Sequence, residues 1–280
     1  MLLPSSCSTF RWSIAENLVE TCIKASHRPL FGDWIGSLHS YAAVEHEPPK
    51  LRLTIDIRPL PDDLITHARC DFGYDAAGEI TSAKLIGQSF VGRLVREQGR
   101  WLGQFTIGGE ISGSMENVLR IGLSLLCEAR GDLLLHASAV EREGAVYVFS
   151  GPSGAGKTTI ATELTAGATP VALERVVLRI RDRDHIEVHS TPFSDPTRVL
   201  LGPRVGRMAR LCFIEQADRH ACDPLAPFAA VQRLFAQTLV CSRRQGQLTR
   251  TLDAVSRVAE TGRCMRLLFC RDPGFWNMIV

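Results

Sequence analysis

Apolar and polar residues alternate without a break through LRLTIDIRP, where Leu51, Leu53, Ile55 and Ile57 share one face and Arg52, Thr54, Asp56 and Arg58 the other. A period of two with one apolar face predicts a half-buried antiparallel strand. Shorter strand-like runs follow in RCDFGY, ITSAKLI and RWLGQFTI, separated by the glycine-bearing turns DAAGE and EQGR. The first part of the chain is therefore expected to be a small β-rich unit. Ahead of these runs, WSIAENLVETCIKA is expected to form one helix and HEPPK a loop.

From Ser112 the period lengthens. Met115, Val118, Leu119, Ile121, Leu125 and Leu126 recur at helical spacing, with Ser112 or Ser114 as the N-cap and Gly131 as the stop. Two apolar runs, LLLHASAV and AVYVFS, come next, joined by EREG as a hairpin loop. The second runs straight into GPSGAGKTT. Beyond it, KTTIATELTAG predicts a helix closed by Gly167, and PVALERVVLRI, HIEVHS and MARLCFIE predict strands. PFAAVQRLFAQTLV and LDAVSRVAETG predict helices, and MRLLFC a last strand before Pro273. Strands interspersed with helices indicate an α/β domain. The expected organisation is an N-terminal β-rich (α+β) domain over residues 1–130 and an α/β domain over 131–280.

Composition narrows the class. With 280 residues, 45% hydrophobic and 22% charged, this is an ordinary globular chain. A net charge of +2 lacks the clustered basic footprint that nucleic acid or an anionic membrane usually requires, so neither partner is expected. Arg243 and Arg244 read as a solvated face. The nine cysteines (Cys7, Cys22, Cys70, Cys127, Cys212, Cys222, Cys241, Cys264 and Cys270) are odd in number and show no C-x-x-C spacing. They read as small hydrophobes in a reducing compartment rather than as a disulfide frame or zinc site. The start MLLPSSCSTFRW has no basic region followed by a long apolar core, which argues against a secretory signal. No run approaches the roughly 18–20 apolar residues of a membrane span. The expected location is cytoplasmic.

The segment GPSGAGKT fits the phosphate-loop pattern G-x-x-x-x-G-K-[ST]. Gly151 and Gly156 let backbone N–H groups turn toward phosphate oxygens without a Cβ in the way. Lys157 supplies a charge for the β and γ phosphates, the Thr158 hydroxyl is placed to ligate Mg²⁺, and the helix that follows adds its N-terminal dipole. Gly151, Pro152, Ser153, Gly154, Ala155, Gly156, Lys157, Thr158 and Thr159 are the expected nucleotide-binding residues, with ATP and Mg²⁺ as ligands. An apolar strand before the loop and a helix after it are the context the motif needs.

Its surroundings decide the chemistry. If EREG is a four-residue loop, Val140 pairs with Ala145 and His136 falls opposite Phe149, near the mouth of the loop. There it could hydrogen-bond phosphate or orient an attacking hydroxyl, or simply pack on a strand edge. Ligands of α/β sheets lie beyond the carboxyl ends of strands, which directs attention to VALERVV, where Glu174 follows Leu173. An acid here could take a proton from an incoming hydroxyl or hold Mg²⁺, and the bland alternative is an exposed turn residue. Glu215 ends the strand RLCFI and is a second candidate, though a charged residue marking a strand exit is the commoner case. His185 and His189 share a strand face without a third ligand nearby, and Arg204, Arg207 and Arg210 offer positive charge that usually belongs to a surface.

In order and spacing, LLLHASAV, VFSGPSGAGKTT and VALERVV resemble the HPr kinase/phosphorylase C-terminal domain and its smaller relatives, which share the phosphoenolpyruvate carboxykinase-like P-loop fold. The ending FCRDPGFW resembles theirs in general layout. The resemblance implies an ATP-dependent kinase acting on a serine or threonine hydroxyl of a protein or peptide; some relatives lie in pathways that make modified peptides, and relatives are often homo-oligomers. By motif match, Lys157 and Thr158 hold nucleotide and metal, His136 is the upstream histidine, and Glu174 is the second of two consecutive acids. In that scheme Glu174 is the base and a metal ligand, His136 its helper and Lys157 the charge stabiliser. The first acid is Leu173 here, which can neither accept a proton nor ligate a metal. The acidic and arginine-containing signature of true HPr kinases is not visible in STPFSDPTRVLLGPRVGR, so HPr is a poor substrate guess and the N-terminal unit is the expected partner or peptide platform. Three classes stay open: a kinase, a nucleotide-binding module with lost chemistry, and a plain NTPase using Glu215 and water.

Overall fold

The computed structural model describes residues 7–43, 47–60, 69–193, 201–242 and 244–280. Arg243, His46 of HEPPK, residues 1–6 of the start and 194–200 of STPFSDPTRVLLGPRVGR lie outside them. The chain divides into two compact units, 1–126 and 127–280, where the sequence placed the division at 130. Each unit combines a sheet with helices, so the protein is a two-unit mixed α/β molecule.

In the first unit, β1 (Cys7–Ile14), β2 (Asn17–Lys24), β3 (Leu51–Ile57), β4 (Arg69–Tyr74), β5 (Ile80–Ile86), β6 (Phe90–Glu97) and β7 (Arg100–Ile107) form one seven-stranded sheet. Its order is β1-β2-β3-β7-β6-β5-β4. The short α1 (Gly32–Ser37) follows β2, and α2 (Ile111–Arg130) follows β7. The helix expected over WSIAENLVETCIKA is instead the β1–β2 hairpin, turned by Ala15 and Glu16 at positive φ. β2 is buried almost throughout, so it lacks the alternation that marks a half-exposed strand. Buried Glu20 on β2 meets Arg11 at 2.7 Å and Arg52 at 2.5 Å.

β3 has the expected apolar face but runs parallel to both neighbours, not antiparallel. Alternation reports which face is buried and carries no information on strand direction. β6 was not anticipated. A Cβ on Gly122 would stand 2.5 Å from Leu51 Cδ2, so glycine lets α2 press closely on the apolar face of β3. The start of α2 is capped by the Glu110 carboxylate, which accepts from Gly113 N–H at 2.7 Å, rather than by Ser112 or Ser114. Gly131, at φ 72°, ends it as expected.

In the second unit, β8 (Leu133–Arg142) and β9 (Ala145–Ser150) lead into α3 (Lys157–Thr162), β10 (Thr169–Ala172), β11 (Arg175–Ile180), β12 (Ile186–Ser190) and β13 (Val205–Gln216). Then come β14 (Ala221–Pro224), α4 (Pro227–Gln237), α5 (Gln245–Ala259), β15 (Cys264–Phe269) and α6 (Trp276–Ile279). β13 runs parallel to β9 and β15, while β8 pairs antiparallel with β9, β10 and β11. β12 bridges β11 and β13, so the ladder β8–β9–β13–β12–β11 returns to β8. β9 is buried on both faces: Val146 and Val148 join a core with Leu234 and Val255 of α4 and α5, and Tyr147 and Phe149 join another with Ile160 and Trp276. That burial explains its unbroken apolar run.

The glycine-loop helix stops at Thr162, well short of Gly167, so its dipole is that of a short helix. PVALERVVLRI bends at Leu173–Glu174, yet the pairing with β8 keeps register across the bend, with Ala172 opposite Ala139 and Arg175 opposite His136. All nine cysteines are free thiols. Burial pushes Cys264 up to about 12 and raises Cys127 and Cys212 strongly, which keeps these thiols protonated and inert. Among the described residues no helix is long and apolar enough to cross a membrane.

Candidate functional site

Residues Gly151–Gly156 leave the buried end of β9 and turn into α3. Gly154 and Gly156 sit at φ 79° and 104°, and a Cβ on Gly156 would fall 2.7 Å from the Phe269 ring. Left-handed positions of this kind turn successive N–H groups to one side, which is the backbone an anion cradle needs. Pro152, Ser153 and Gly154 are exposed, and Thr158 and Thr159 are half-buried at the start of α3. Lys157 is 7% exposed, and its Nζ donates to the carbonyls of Gly151 and Pro152, each at 2.9 Å. Burial lowers its pKa, opposed by the charge of Glu174 and assisted by that of Arg175. Ser138 Oγ donates to the Lys157 carbonyl at 2.8 Å, tying the first turn of α3 to β8.

The hairpin that carries His136 is tighter than expected. Its loop is two residues, Glu143 and Gly144, both at positive φ, so Arg142 faces Ala145. The register moves by two residues from the four-residue reading and places Phe149 opposite Ser138. An even shift keeps every side chain on its expected face. Its effect is to bring His136 one step beyond the Ala137–Ser150 pair, level with the first residue of the loop, and Ser150 Oγ donates to the His136 carbonyl at 2.9 Å.

His136 Nε2 lies 3.8 Å from Glu174 Oε1. The bend after β10 produces this pairing: Ala137 N–H donates to the Glu174 carbonyl at 3.1 Å, which holds the acid diagonally across from His136. Burial, with Lys157 and Arg175 nearby, lowers the His136 pKa, while Glu174 and a hydrogen bond with Gln237 resist. The imidazole is therefore held in its neutral form to a lower pH than a free histidine. Leu173, adjacent to Glu174, is 5% exposed and packs with Phe149 and Ile160 beneath α3. It is a core residue supporting the loop helix and faces no solvent site.

A cavity of about 470 Å³ opens between Gly151–Ala155, the end of β13 and the last turn of α4, with Glu215, Gln216, Arg233 and Gln237 on its wall. Gln216 Nε2 donates to the Gly154 carbonyl at 3.1 Å. Glu215 stands at the expected height but its carboxylate is taken: Arg233 reaches Oε1 and Arg266 reaches Oε2, each at 2.7 Å. The hydrogen bond from Arg266, joined by Arg233, lowers its pKa. A carboxylate bonded to two guanidiniums is a weak base and a poor metal ligand.

His185 and His189 do not form a metal pair. Glu187 lies between them, 3.7 Å from His185 and 3.1 Å from His189, and is also bound by Arg181 at 2.9 Å. Burial pushes the Glu187 carboxyl up, but the bonds from His189 and Arg181 outweigh it and bring it down. Arg204 approaches Glu141 at 3.9 Å, Arg207 bonds the Asp184 carbonyl and Arg210 the Ala209 carbonyl, so the three do not converge on one anion.

Sequence reasoning missed Gln237, Arg233 and Arg175. Arg175 was legible as the residue after Glu174, whereas Gln237 and Arg233 lie about sixty or more residues further on and only the packing of α4 brings them to the loop. Glycine-loop backbone, a lysine on its carbonyls and a neighbouring histidine–carboxylate pair together fit a polyphosphate with a divalent cation. No protein-family model matches the chain, and a search of curated proteins returns no significant match.

Proposed function

We propose that the second unit is an ATP-dependent kinase with an HPr kinase-like P-loop fold, moving the γ-phosphate onto a serine or threonine hydroxyl of a protein or peptide. The observation that carries this reading is the His136–Glu174 pair, 3.8 Å apart, held beside Lys157 and the glycine loop. Bound ATP with Mg²⁺ supplies an electrophilic phosphorus and neutralises part of the phosphate charge. In this reading the loop amides and Lys157 bind the β and γ phosphates, and Thr158 with Glu174 holds the cation. Glu174, 41% exposed, accepts the hydroxyl proton as the acceptor oxygen bonds to the γ-phosphorus and the bond to the β–γ bridging oxygen breaks. Neutral His136, steadied by Gln237, orients the hydroxyl.

A second reading is a nucleotide-binding module without transfer, and the burial of Leu173 favours it: where the resemblance calls for two acids, one is spent on the core. The plain NTPase using Glu215 loses ground, since that carboxylate is held by two arginines. Incubation with Mg²⁺ and γ-labelled ATP, with and without hydroxyl-bearing peptides, separates the three. Label transfer that falls at least ~100-fold in Glu174→Gln and survives in Glu215→Gln supports the kinase. Tight ATP binding with neither labelled peptide nor free phosphate refutes it in favour of the module, and free phosphate lost in Glu215→Gln restores the NTPase.

A further inference from the structure

The sheet of the first unit has two unlike faces. One carries buried Leu51, Leu53 and Ile55 and meets α2 where Gly122 lies against Leu51, while the other forms a cavity of about 870 Å³ along β3 to β7. Its floor follows from register. Asp71 on β4 pairs with Lys84 on β5, Lys84 with Arg93 on β6, Arg93 with Gln104 on β7, and Gln104 with Thr54 on β3. Directly paired residues point to the same face, so one polar row crosses five adjacent strands.

The charge along this row is unbalanced. Asp56 on the wall is bound by Lys24 at 2.8 Å and Asp71 by Arg69 at 3.3 Å, so both acids are answered by bases outside the cavity lining. Lys84 and Arg93, both exposed, stand opposite one another on an antiparallel pair, and Arg58 joins them on the wall. Like charges directly opposed across strands destabilise a sheet unless an anion lies between them. The row spans four strand spacings, roughly 19 Å at ~4.8 Å each, which an extended chain rising ~3.3 Å per residue covers in about six residues. A small anion would use a fraction of that length.

We propose that this face binds an acidic peptide segment in extended form, whose alternate carboxylates meet Lys84, Arg93 and Arg58 while Gln104 and Thr54 offer hydrogen bonds. The surface belongs to the first unit and does not depend on the kinase reading, so binding is measured without nucleotide.

The probe is a fluorescent eight-residue peptide alternating glycine with aspartate or glutamate, followed by anisotropy with the full chain. Its counterpart with asparagine and glutamine in place of the acids is the neutral control. The acidic peptide is expected to bind, to weaken as salt rises, and to lose at least ~10-fold in affinity in the Lys84→Gln/Arg93→Gln double variant. Arg183→Gln/Arg219→Gln, an equal charge change on exposed residues of the second unit, is expected to leave it unchanged. The Lys84 and Arg93 changes relieve repulsion, so the variant is expected to melt no lower than wild type. As a readout independent of variants, a photo-crosslinking form of the peptide should label residues 80–97 of the wild type. Equal binding of the neutral peptide, equal loss in both double variants, full displacement by millimolar inorganic phosphate, or labelling confined to the second unit would each overturn the proposal.

Discussion

At the scale of single residues, position within the packing decides what a chemical group can do. Leu173 and Glu174 are neighbours in the chain, yet one is buried under α3 and the other reaches solvent beside His136. Placing an acid at 173 therefore means burying a carboxylate in the Phe149–Ile160 core; Leu173→Asp is expected to cost about 2–4 kcal/mol, read from urea unfolding, and not to create a second catalytic acid. Gly156→Ala meets both a left-handed φ and the Phe269 ring, for an expected loss of about 1–3 kcal/mol with weakened nucleotide binding by calorimetry. His136 yields a pH prediction. Its folded pKa lies below the unfolded value of about 6.5, so the unfolded state binds the proton more readily between the two. The native state consequently loses stability as pH falls through that window and has it in full above. The drop in urea midpoint from pH 7.5 to 5.5 should be smaller in His136→Gln than in wild type.

At the scale of elements, the legible and illegible parts of the sequence divide by the kind of signal they leave. The β9–loop–α3 unit was readable because glycines at fixed spacing, a lysine and an apolar strand are all local. The β1–β2 hairpin was not, because β2 is buried on both faces and presents no alternation, and its turn uses Ala15 and Glu16 at positive φ instead of glycine or asparagine. The β8–β9 loop was read two residues too long because Glu141 and Arg142 look like loop residues; only the ladder shows that both are paired. The C-terminal segment is a further element whose role is tertiary. Trp276 donates Nε1–H to the Leu164 carbonyl at 2.8 Å and packs edge-on against Tyr147 and Phe149, so it ties the turn after α3 to β9. Trp276→Ala is expected to cost about 3–5 kcal/mol and to raise hydrogen exchange across residues 157–168.

At the scale of the whole molecule, the chain forms two compact units: a glycine loop with its histidine and acid lies in one, and a sheet face bearing Lys84, Arg93 and Arg58 in the other. Under the kinase reading, ATP with Mg²⁺ is expected to slow hydrogen exchange in residues 145–162 and leave the rates of β4–β6 unchanged. An acidic peptide is expected to do the reverse, and mass-spectrometric exchange of the intact chain reads both at once.

Taken alone, the sequence determined the phosphate-loop motif, the apolar faces of β3 and α2, and which residue types were available for chemistry, because each is written in neighbours a few positions apart. Tertiary structure decided which of those residues meet. Pairing register brought His136 level with the loop and Glu174 to its side, the arginines of α4 and β15 occupied Glu215, and burial turned Leu173 into core. Register and burial depend on contacts between distant segments, and no local pattern encodes them.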